Sequence, residues 1–352
     1  MSKYFNSKYS QMKAYTPGEQ PKNMDYIKLN TNESPYPPSQ SVIKAITKQE
    51  VEDLRLYPDP TGENLKEALA SLYKVKAENV YIANGSDDIL NFAFMAYGGD
   101  GRKAVFPEIS YGFYQVFADL NSVEYVKLPL KDDFSIDIRD YCNLKDLIII
   151  ANPNAPTGIC LGLSEIEKIL KTNKNSVIVI DEAYVDFGAE SAVPLTTIYD
   201  NLLVVQTFSK SRSMAGARLG FAIGNSELIN DLEMLKYSTN PYNVNRLSMV
   251  AGIAAVESNA YYVEKCKEII NTRDYTSKEL NELGFDVLPS KANFLFAKSN
   301  DIGGKELYLK LKERGILIRH FDNSKICEYN RITIGTKKQM ETMIKMIKEI
   351  LR

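Results

Sequence analysis

The chain has 352 residues, of which 44% are hydrophobic and 25% charged, and its formal net charge is −2. This length and composition are typical of a globular protein with a large core and favour two domains. The basic residues are spread along the chain without forming a block, which argues against nucleic acid as a partner. Residues 1–14 are polar and no apolar run approaches the length of a bilayer span, so the sequence predicts neither a signal peptide nor a membrane anchor.

The cysteines and the single histidine restrict the chemistry that the protein can perform. Cys142, Cys160, Cys266 and Cys327 are far apart and form no CxxC pair, which favours reduced thiols and a cytoplasmic location. His320 is the only histidine, so a multi-histidine metal site is ruled out and a Ser-His-Asp triad is disfavoured. We therefore expect no metal.

Short apolar runs alternate with segments of helical spacing through the first two thirds of the chain. These runs lie at 78–83, 103–106, 145–151, 176–181, 202–207 and 219–223. The residues at 147–150 and 177–180 show no polar alternation, which is typical of strands that are buried on both faces. The sequence thus predicts an α/β layer with a mostly parallel central sheet.

The order of predicted elements changes near residue 258. From there we predict a long helix, strands at 285–288 and 293–297, a helix at 303–313, strands at 316–319 and 330–334, and a final helix. This order indicates a smaller α+β domain at 258–352. Residues 46–257 would form the large domain, and residues 1–45 an N-terminal arm and part of the small domain.

One candidate functional group follows the apolar run that ends at Ile180. Asp181 begins an Asp-Glu-Ala-Tyr sequence, and a carboxylate at the end of a buried strand needs a positive partner, such as a protonated pyridine nitrogen. Tyr184 could donate a hydrogen bond to the ring hydroxyl of the same ligand. Taken alone, an Asp-Glu pair is more often a solvated strand end, and a tyrosine there is more often part of the core.

A second candidate group follows the run at 202–207. Lys210 lies among small residues directly after a buried strand, where desolvation lowers the pKa of its amine and favours the neutral form that makes an imine. Most lysines only keep a surface soluble. Here, however, Ser209 and Arg218 offer a hydroxyl donor and a guanidinium for a phosphate.

Two further turns follow predicted strands. The turn at 84–88, Asn-Gly-Ser-Asp-Asp, precedes a helix whose first amides could bind an anion, although an ordinary capped helix explains it equally well. The loop at 152–158 contains two prolines and a glycine and is expected to be rigid. Together the four strand ends supply an imine lysine, a carboxylate for a pyridinium, a hydroxyl donor and a phosphate cup. These are the parts that pyridoxal phosphate requires.

The motifs also resemble those of a known family over nearly the whole chain. The sequences Asn-Pro-Asn-Ala-Pro-Thr-Gly at 152–158, Asp-Glu-Ala-Tyr-Val-Asp-Phe at 181–187 and Thr-Phe-Ser-Lys at 207–210 resemble those of fold-type I aminotransferases, which depend on pyridoxal phosphate. Segments at 15–18, 29–33, 57–58, 84–87, 111–114 and 331–335 fit as well. Within the family the motifs are most similar to those of enzymes of histidine biosynthesis that act on histidinol phosphate and on glutamate or 2-oxoglutarate.

The resemblance implies a role for each candidate residue. The catalytic residues would be Lys210, which binds the cofactor as a Schiff base, Asp181, which pairs with the ring nitrogen, and Tyr184, which bonds the ring hydroxyl. Further cofactor contacts would come from Ser86, Asp87, Tyr111, Asn154, Ser209 and Arg218. The substrate would be bound by Tyr15, Asn32, Arg319 and Arg331. Tyr57 would reach the phosphate of the neighbouring subunit's cofactor, which implies a homodimer.

One position departs from the pattern of the family. The residue directly before Pro-Thr-Gly is Ala155, where the resemblance leads us to expect an asparagine that contacts the ring hydroxyl. Either Asn154 takes over that contact or Tyr184 makes it alone, and we predict Asn154. Other activities on the same fold stay open, namely an aromatic aminotransferase or a threonine-phosphate decarboxylase. A non-enzymatic regulator is disfavoured because the chain has no room for an additional DNA-binding domain.

Overall fold

The computed structural model of the protein describes residues 2–10, 12, 15–21 and 24–352. Residues 1, 11, 13, 14, 22 and 23 of the predicted arm lie outside the described residues. In the described part the strands are β1 Ile27–Lys28, β2 Val80–Ala83, β3 Ala104–Pro107, β4 Tyr125–Leu128, β5 Leu147–Ala151, β6 Ile178–Asp181, β7 Leu202–Thr207, β8 Gly220–Gly224, β9 Phe285–Val287, β10 Phe294–Ser299, β11 Ile316–Leu317, β12 Arg319–His320 and β13 Asn330–Thr333. The α-helices are α1 Gln40–Ala45, α2 Lys48–Glu52, α3 Glu63–Tyr73, α4 Ser86–Tyr97, α5 Phe113–Asn121, α6 Leu163–Thr172, α7 Ser226–Thr239, α8 Arg246–Glu257, α9 Asn259–Glu282, α10 Gly304–Glu313 and α11 Lys337–Ile350.

The central sheet has the strand order β2-β8-β7-β6-β5-β3-β4. Strand β8 runs antiparallel to β2 and β7, and the other neighbouring strands are parallel. Alternate residues of β5 enter two different cores: Ile148 and Ile150 pack on one face and Leu147 and Ile149 on the other. A strand that is covered on both faces has no need for polar residues, which explains its unbroken apolar run. The predicted α/β fold with a mostly parallel sheet is confirmed.

Strand β4 was not among the predicted strands. It pairs with β3 at the edge of the sheet, and its two central residues, Val126 and Lys127, are exposed. The short edge strand therefore lacks the continuous apolar run that marks the buried strands.

A second sheet has the order β12-β13-β10-β9, with antiparallel neighbours throughout. The single strand predicted at 316–319 is wrong, because the chain changes partner there. Ile316–Leu317 pairs with β1, whereas Arg319–His320 pairs with β13. Leu29, from the N-terminal segment, packs in the core of this second unit. The domain limits at residues 45 and 257 stay a prediction.

The register of the central sheet brings the chemically interesting loops together. Asp181, the last residue of β6, lies opposite Ala151 of β5 and Val205 of β7. The segments that follow these three parallel strands therefore meet at one edge of the sheet, where ligands of α/β proteins bind. Among the described residues no helix combines the length and the apolar character that crossing a membrane demands.

Candidate active site

A cavity of about 210 Å³ lies at this edge of the sheet. Eight of the predicted site residues line it, namely Ser86, Asp87, Tyr111, Asp181, Tyr184, Ser209, Lys210 and Arg218. They lie at the end of β6, at the start of α4 and in the segments that follow β3, β6 and β7, so the fold gathers groups that are more than a hundred residues apart in the sequence.

Lys210 lines the cavity and is hydrogen-bonded to the N-terminal segment. Its Nζ donates to the carbonyl oxygen of Thr31 at 3.1 Å and lies 5.8 Å from the centre of the Tyr184 ring. Burial and the positive charge of Arg331 lower the pKa of the Lys210 amine to about 8. A pKa this far below the ordinary value of lysine increases the fraction of neutral, nucleophilic amine near neutral pH.

Asp181 is a buried carboxylate with two hydrogen bonds. Its Oδ2 accepts a bond of 2.7 Å from the Tyr114 hydroxyl, and its Oδ1 accepts one of 3.2 Å from the main-chain N–H of Ala183. Burial raises the pKa of Asp181 to about 6 even though both donors favour the ionised form. A positive ligand group beside this carboxylate would relieve the cost of burying it.

Another part of the cavity lining is suited to an anion. Helix α4 begins at Ser86, directly after Gly85, which has φ +87°. A Cβ on Gly220 of β8 would lie 2.5 Å from the Ser86 nitrogen, so only glycine lets the strand approach this helix start. Arg218 donates to Ser209 Oγ at 3.5 Å and to Asp87 at 3.1 Å. Amides at a helix start together with a guanidinium form a phosphate-binding arrangement.

The structure places the Asn154 side chain in hydrogen bonds to neighbouring loop residues. Its Nδ2 donates to the Ile109 carbonyl at 3.0 Å and to Thr157 Oγ1 at 3.1 Å, and its Oδ1 accepts from Ser110 Oγ at 2.8 Å. Both amide hydrogens are thus used to hold the loop, and neither is free for a ligand. The methyl group of Ala155 lines the cavity instead.

A second cavity of about 450 Å³ adjoins the first, and Lys210, Tyr184 and Tyr111 line both. All four residues predicted to bind substrate line this second cavity, namely Tyr15, Asn32, Arg319 and Arg331. The guanidinium carbon of Arg331 lies 5.4 Å from the centre of the Phe294 ring and 5.8 Å from that of Phe321, and its Nη2 donates to the carbonyl of Asn30 at 3.0 Å. Its Nε is buried without a hydrogen-bond partner among the described residues, as expected of a group that awaits an anionic ligand.

Tyr57 is not part of the site in its own chain. It is 79% exposed, stacks on Tyr242 with ring centres 4.5 Å apart, and lines neither cavity. Conversely, the sequence did not single out Tyr114 or Thr31. Both lie in segments that resemble the family, at 111–114 and 29–33, and this was their only signal, because Thr31 bonds Lys210 through its main-chain carbonyl and not through its side chain.

Comparisons with known proteins agree with this geometry. The family profile of class I and II aminotransferases matches residues 24–347. The chain is 53% identical over 353 residues to a histidinol-phosphate aminotransferase of Brachyspira hyodysenteriae, and the match covers 100% of both chains. It is 46% identical to a histidinol-phosphate aminotransferase of Clostridium botulinum over 351 residues, which cover 100% of this chain and 99% of that one. The crystal structure of the histidinol-phosphate aminotransferase from Clostridium acetobutylicum superposes with a TM-score of 0.85 at 25% identity, over 92% of this chain and 98% of that chain. The chain therefore belongs to the class I and II aminotransferases and, within them, to the histidinol-phosphate aminotransferases.

Proposed function

We propose that this enzyme transfers the amino group between histidinol phosphate and 2-oxoglutarate, forming imidazole acetol phosphate and glutamate, with pyridoxal phosphate attached to Lys210. The observation that carries the proposal is the junction of two cavities at Lys210, one suited to the cofactor and the other lined by two arginines. The full-length similarity to histidinol-phosphate aminotransferases supports the choice of substrate.

The residues present fit pyridoxal phosphate. The cavity offers an amine with a lowered pKa at Lys210 and a buried carboxylate at Asp181. The helix start at Ser86 also lines this cavity, and β8 can come close to it only because residue 220 is glycine. An amine, a carboxylate and an anion site in one cavity match the aldehyde, the ring nitrogen and the phosphate of this cofactor.

Each residue then has a chemical task. When bound, pyridoxal phosphate accepts the electron pair left on the substrate carbon after its proton is removed. Lys210 first holds the cofactor and then, as a free amine, moves the proton at its Nζ. Asp181 keeps a proton on the ring nitrogen, while Tyr184 donates to the ring oxygen and Tyr111 packs against the ring. The phosphate is bound by the first amides of α4 with Ser209 and Arg218.

The second cavity supplies the binding of the substrate's anionic group. The Nε of Arg331 is buried and has no hydrogen-bond partner within the described part of the chain, so a carboxylate or a phosphate there gains a strong hydrogen bond. Arg319 contributes a second guanidinium, which is held by the carbonyl oxygens of Thr16 and Pro17 at 3.4 Å. Tyr15 and Asn32 complete this wall. Two successive substrates with an anionic group can use the same site, which predicts ping-pong kinetics.

We further propose that the enzyme is a cytoplasmic homodimer in which Tyr57 reaches the partner's cofactor. The segment 43–57 exposes a run of large apolar side chains, which include Ile43, Val51, Leu54 and Leu56. Several large apolar side chains exposed within one short segment favour association. Tyr57 belongs to the same segment, is exposed and does not line the cavity of its own chain. The four cysteines are free thiols, which agrees with a reducing compartment.

The test compares amino donors in the first half of the reaction. The purified enzyme with bound cofactor is mixed with histidinol phosphate or with phenylalanine, and the cofactor absorbance is followed. Faster conversion by histidinol phosphate supports the proposal, whereas faster conversion by phenylalanine would move the enzyme to the aromatic aminotransferases. Release of carbon dioxide from threonine phosphate would identify a decarboxylase. Lys210→Ala should abolish conversion, and full activity of this variant would refute the role of the lysine.

A further inference from the structure

The hydroxyl group of Tyr184 lies at the end of a directed set of hydrogen bonds. The main-chain N–H of Asn32 donates to Thr333 Oγ1 at 3.0 Å, and the Thr333 hydroxyl donates to Asn32 Oδ1 at 3.0 Å. Asn32 Nδ2 in turn donates to Tyr184 Oη at 2.9 Å. Because an amide nitrogen can only donate, the Tyr184 oxygen accepts this bond and its own proton stays available.

Thr333 links the main chain of residue 32 to its side chain. The Thr333 oxygen accepts from the main-chain N–H of Asn32, and the Thr333 hydroxyl donates to Asn32 Oδ1. That bond turns Nδ2 of Asn32 towards Tyr184. The Asn32 backbone is held in the left-handed region, with φ 56°, and its carbonyl accepts from Asn293 Nδ2 at 3.0 Å. Since Asn32 and Thr333 are only 1% and 2% exposed, water has little access to exchange these bonds.

The hydrogen bonds from Thr333 through Asn32 to Tyr184 matter for the ring oxygen because the neighbouring loop provides no amide donor. Residue 155 is an alanine, and both amide hydrogens of Asn154 are used within the loop. On this wall the contact to the ring oxygen therefore falls to Tyr184.

We propose that Asn32 is a positioning residue that aims the Tyr184 proton at the ring oxygen of the bound cofactor, with Thr333 fixing its orientation. The inference rests on the proposed cofactor site. A donor at the ring oxygen stabilises its anionic form, so losing that donor must shift the absorbance transition of the bound cofactor to higher pH. Asn32 is thereby assigned an action through Tyr184, in addition to its place on the wall of the second cavity.

The decisive substitution is Asn32→Asp, which keeps the size of the side chain but leaves only acceptors. Tyr184 would then donate to residue 32, and the absorbance midpoint of the cofactor should rise by about one pH unit or more, because a hydrogen bond to a charged group contributes about 1.5–3 kcal/mol. The added charge also acts through space. Asn32→Asp is therefore repeated in the Tyr184→Phe background, where the rise should largely disappear.

Two further variants separate the effect of charge from the effect of direction. Asn30→Asp puts a carboxylate on the same cavity wall at a position that is equally buried, but Asn30 bonds the Glu19 carbonyl and not Tyr184. Asn30→Asp should raise the absorbance midpoint by a smaller amount, and by the same amount with Tyr184 present as in the Tyr184→Phe background. Thr333→Val adds no charge and should raise the midpoint because Asn32 is no longer oriented. The charged groups around Tyr184, which are Arg331, Asp181, Asp87 and Lys210, are unchanged throughout.

The inference is overturned if Asn32→Asp shifts the midpoint equally with and without the Tyr184 hydroxyl, or if Asn32→Asp and Thr333→Val both leave it unchanged. Should Asn32→Asp fail to fold, Thr333→Val in the two backgrounds carries the same test. A failure of the proposed function is distinguishable, because in that case the unmodified enzyme would show no cofactor absorbance that responds to amino donors.

Discussion

At the scale of single residues, Asp181 shows how burial and hydrogen bonding oppose each other. Burial raises the pKa of this carboxylate to about 6, while the Tyr114 hydroxyl, at 2.7 Å, lowers it. If the ionised carboxylate holds the pyridinium, cofactor affinity should fall as the pH drops through about 6. Tyr114→Phe removes the donor and raises the pKa of Asp181 further. The loss of affinity should then begin about one to two pH units higher, since a hydrogen bond to a charged group contributes about 1.5–3 kcal/mol.

The measurement is the cofactor dissociation constant as a function of pH for the wild type and two variants. Tyr81→Phe is the matched control, because Tyr81 is as buried as Tyr114 but its hydroxyl has no hydrogen-bond partner among the described residues. Ionisation of the cofactor itself affects all three proteins alike. The same midpoint in Tyr114→Phe and Tyr81→Phe would show that Tyr114 does not tune the carboxylate.

A site residue could be predicted from the sequence where a reactive side chain lies at the end of an apolar run. Asp181 directly follows an unbroken apolar run, and Lys210 is the third residue after the mostly apolar β7, so the end of each buried strand could be located before the fold was known. Asn154 could not be judged in this way. Its partners Ile109 and Ser110 belong to the loop after β3, more than forty residues earlier, and a local pattern holds no information on such contacts.

At the scale of elements, the close approach of β8 to the start of α4 shapes the anion site. A Cβ on Gly220 would lie 2.5 Å from the Ser86 nitrogen and 2.6 Å from the Gly85 carbonyl carbon. Both atoms are main chain and cannot rotate away. Gly220→Ala should therefore displace the helix start, lowering the free energy of unfolding by about 1–3 kcal/mol and the cofactor affinity by at least about tenfold.

Unfolding in denaturant and cofactor titration measure the two effects separately. Gly216→Ala is the control, because a Cβ on Gly216 would meet nothing within 4 Å. If Gly220→Ala retained wild-type affinity while losing stability, the helix start would have no part in holding the phosphate.

Strands were predicted correctly where all their residues are buried, and wrongly where the chain passes from one strand partner to another. The runs that form β5, β6 and β7 are buried along their whole length, so their apolar residues were enough to predict these strands. The segment 316–320 is divided between two sheets, because Ile316–Leu317 pairs with β1 and Arg319–His320 pairs with β13. Both partners are distant in sequence, and the apolar pattern alone could not place the break.

At the scale of the whole molecule, the apolar surface at 43–57 predicts the oligomeric state. Leu54 is 52% exposed on this surface, and Leu309, outside it, is 46% exposed. Leu54→Glu would bury a charge in the proposed interface, so the dimer should dissociate and cofactor affinity should fall. Leu309→Glu places the same charge at a comparable exposure and should leave both unchanged. Sedimentation at several concentrations measures the dimer, and a monomeric wild type would rule out the proposed interface.

Shared active sites make a stricter prediction, which mixed dimers can test. Two differently tagged chains are co-expressed, one with Lys210→Ala and the other with Tyr57→Ala, and the mixed dimer is isolated and assayed at limiting cofactor. If Tyr57 acts across the interface, one site combines Lys210 of one chain with the partner subunit's Tyr57, and the mixed dimer keeps about half of the wild-type activity. A dimer of wild type with a chain carrying both substitutions is the control. There the remaining Lys210 faces a partner without Tyr57, so that dimer should be nearly inactive. If Tyr57 instead served its own chain, the two results would be exchanged, because only the control would retain Lys210 and Tyr57 in one subunit.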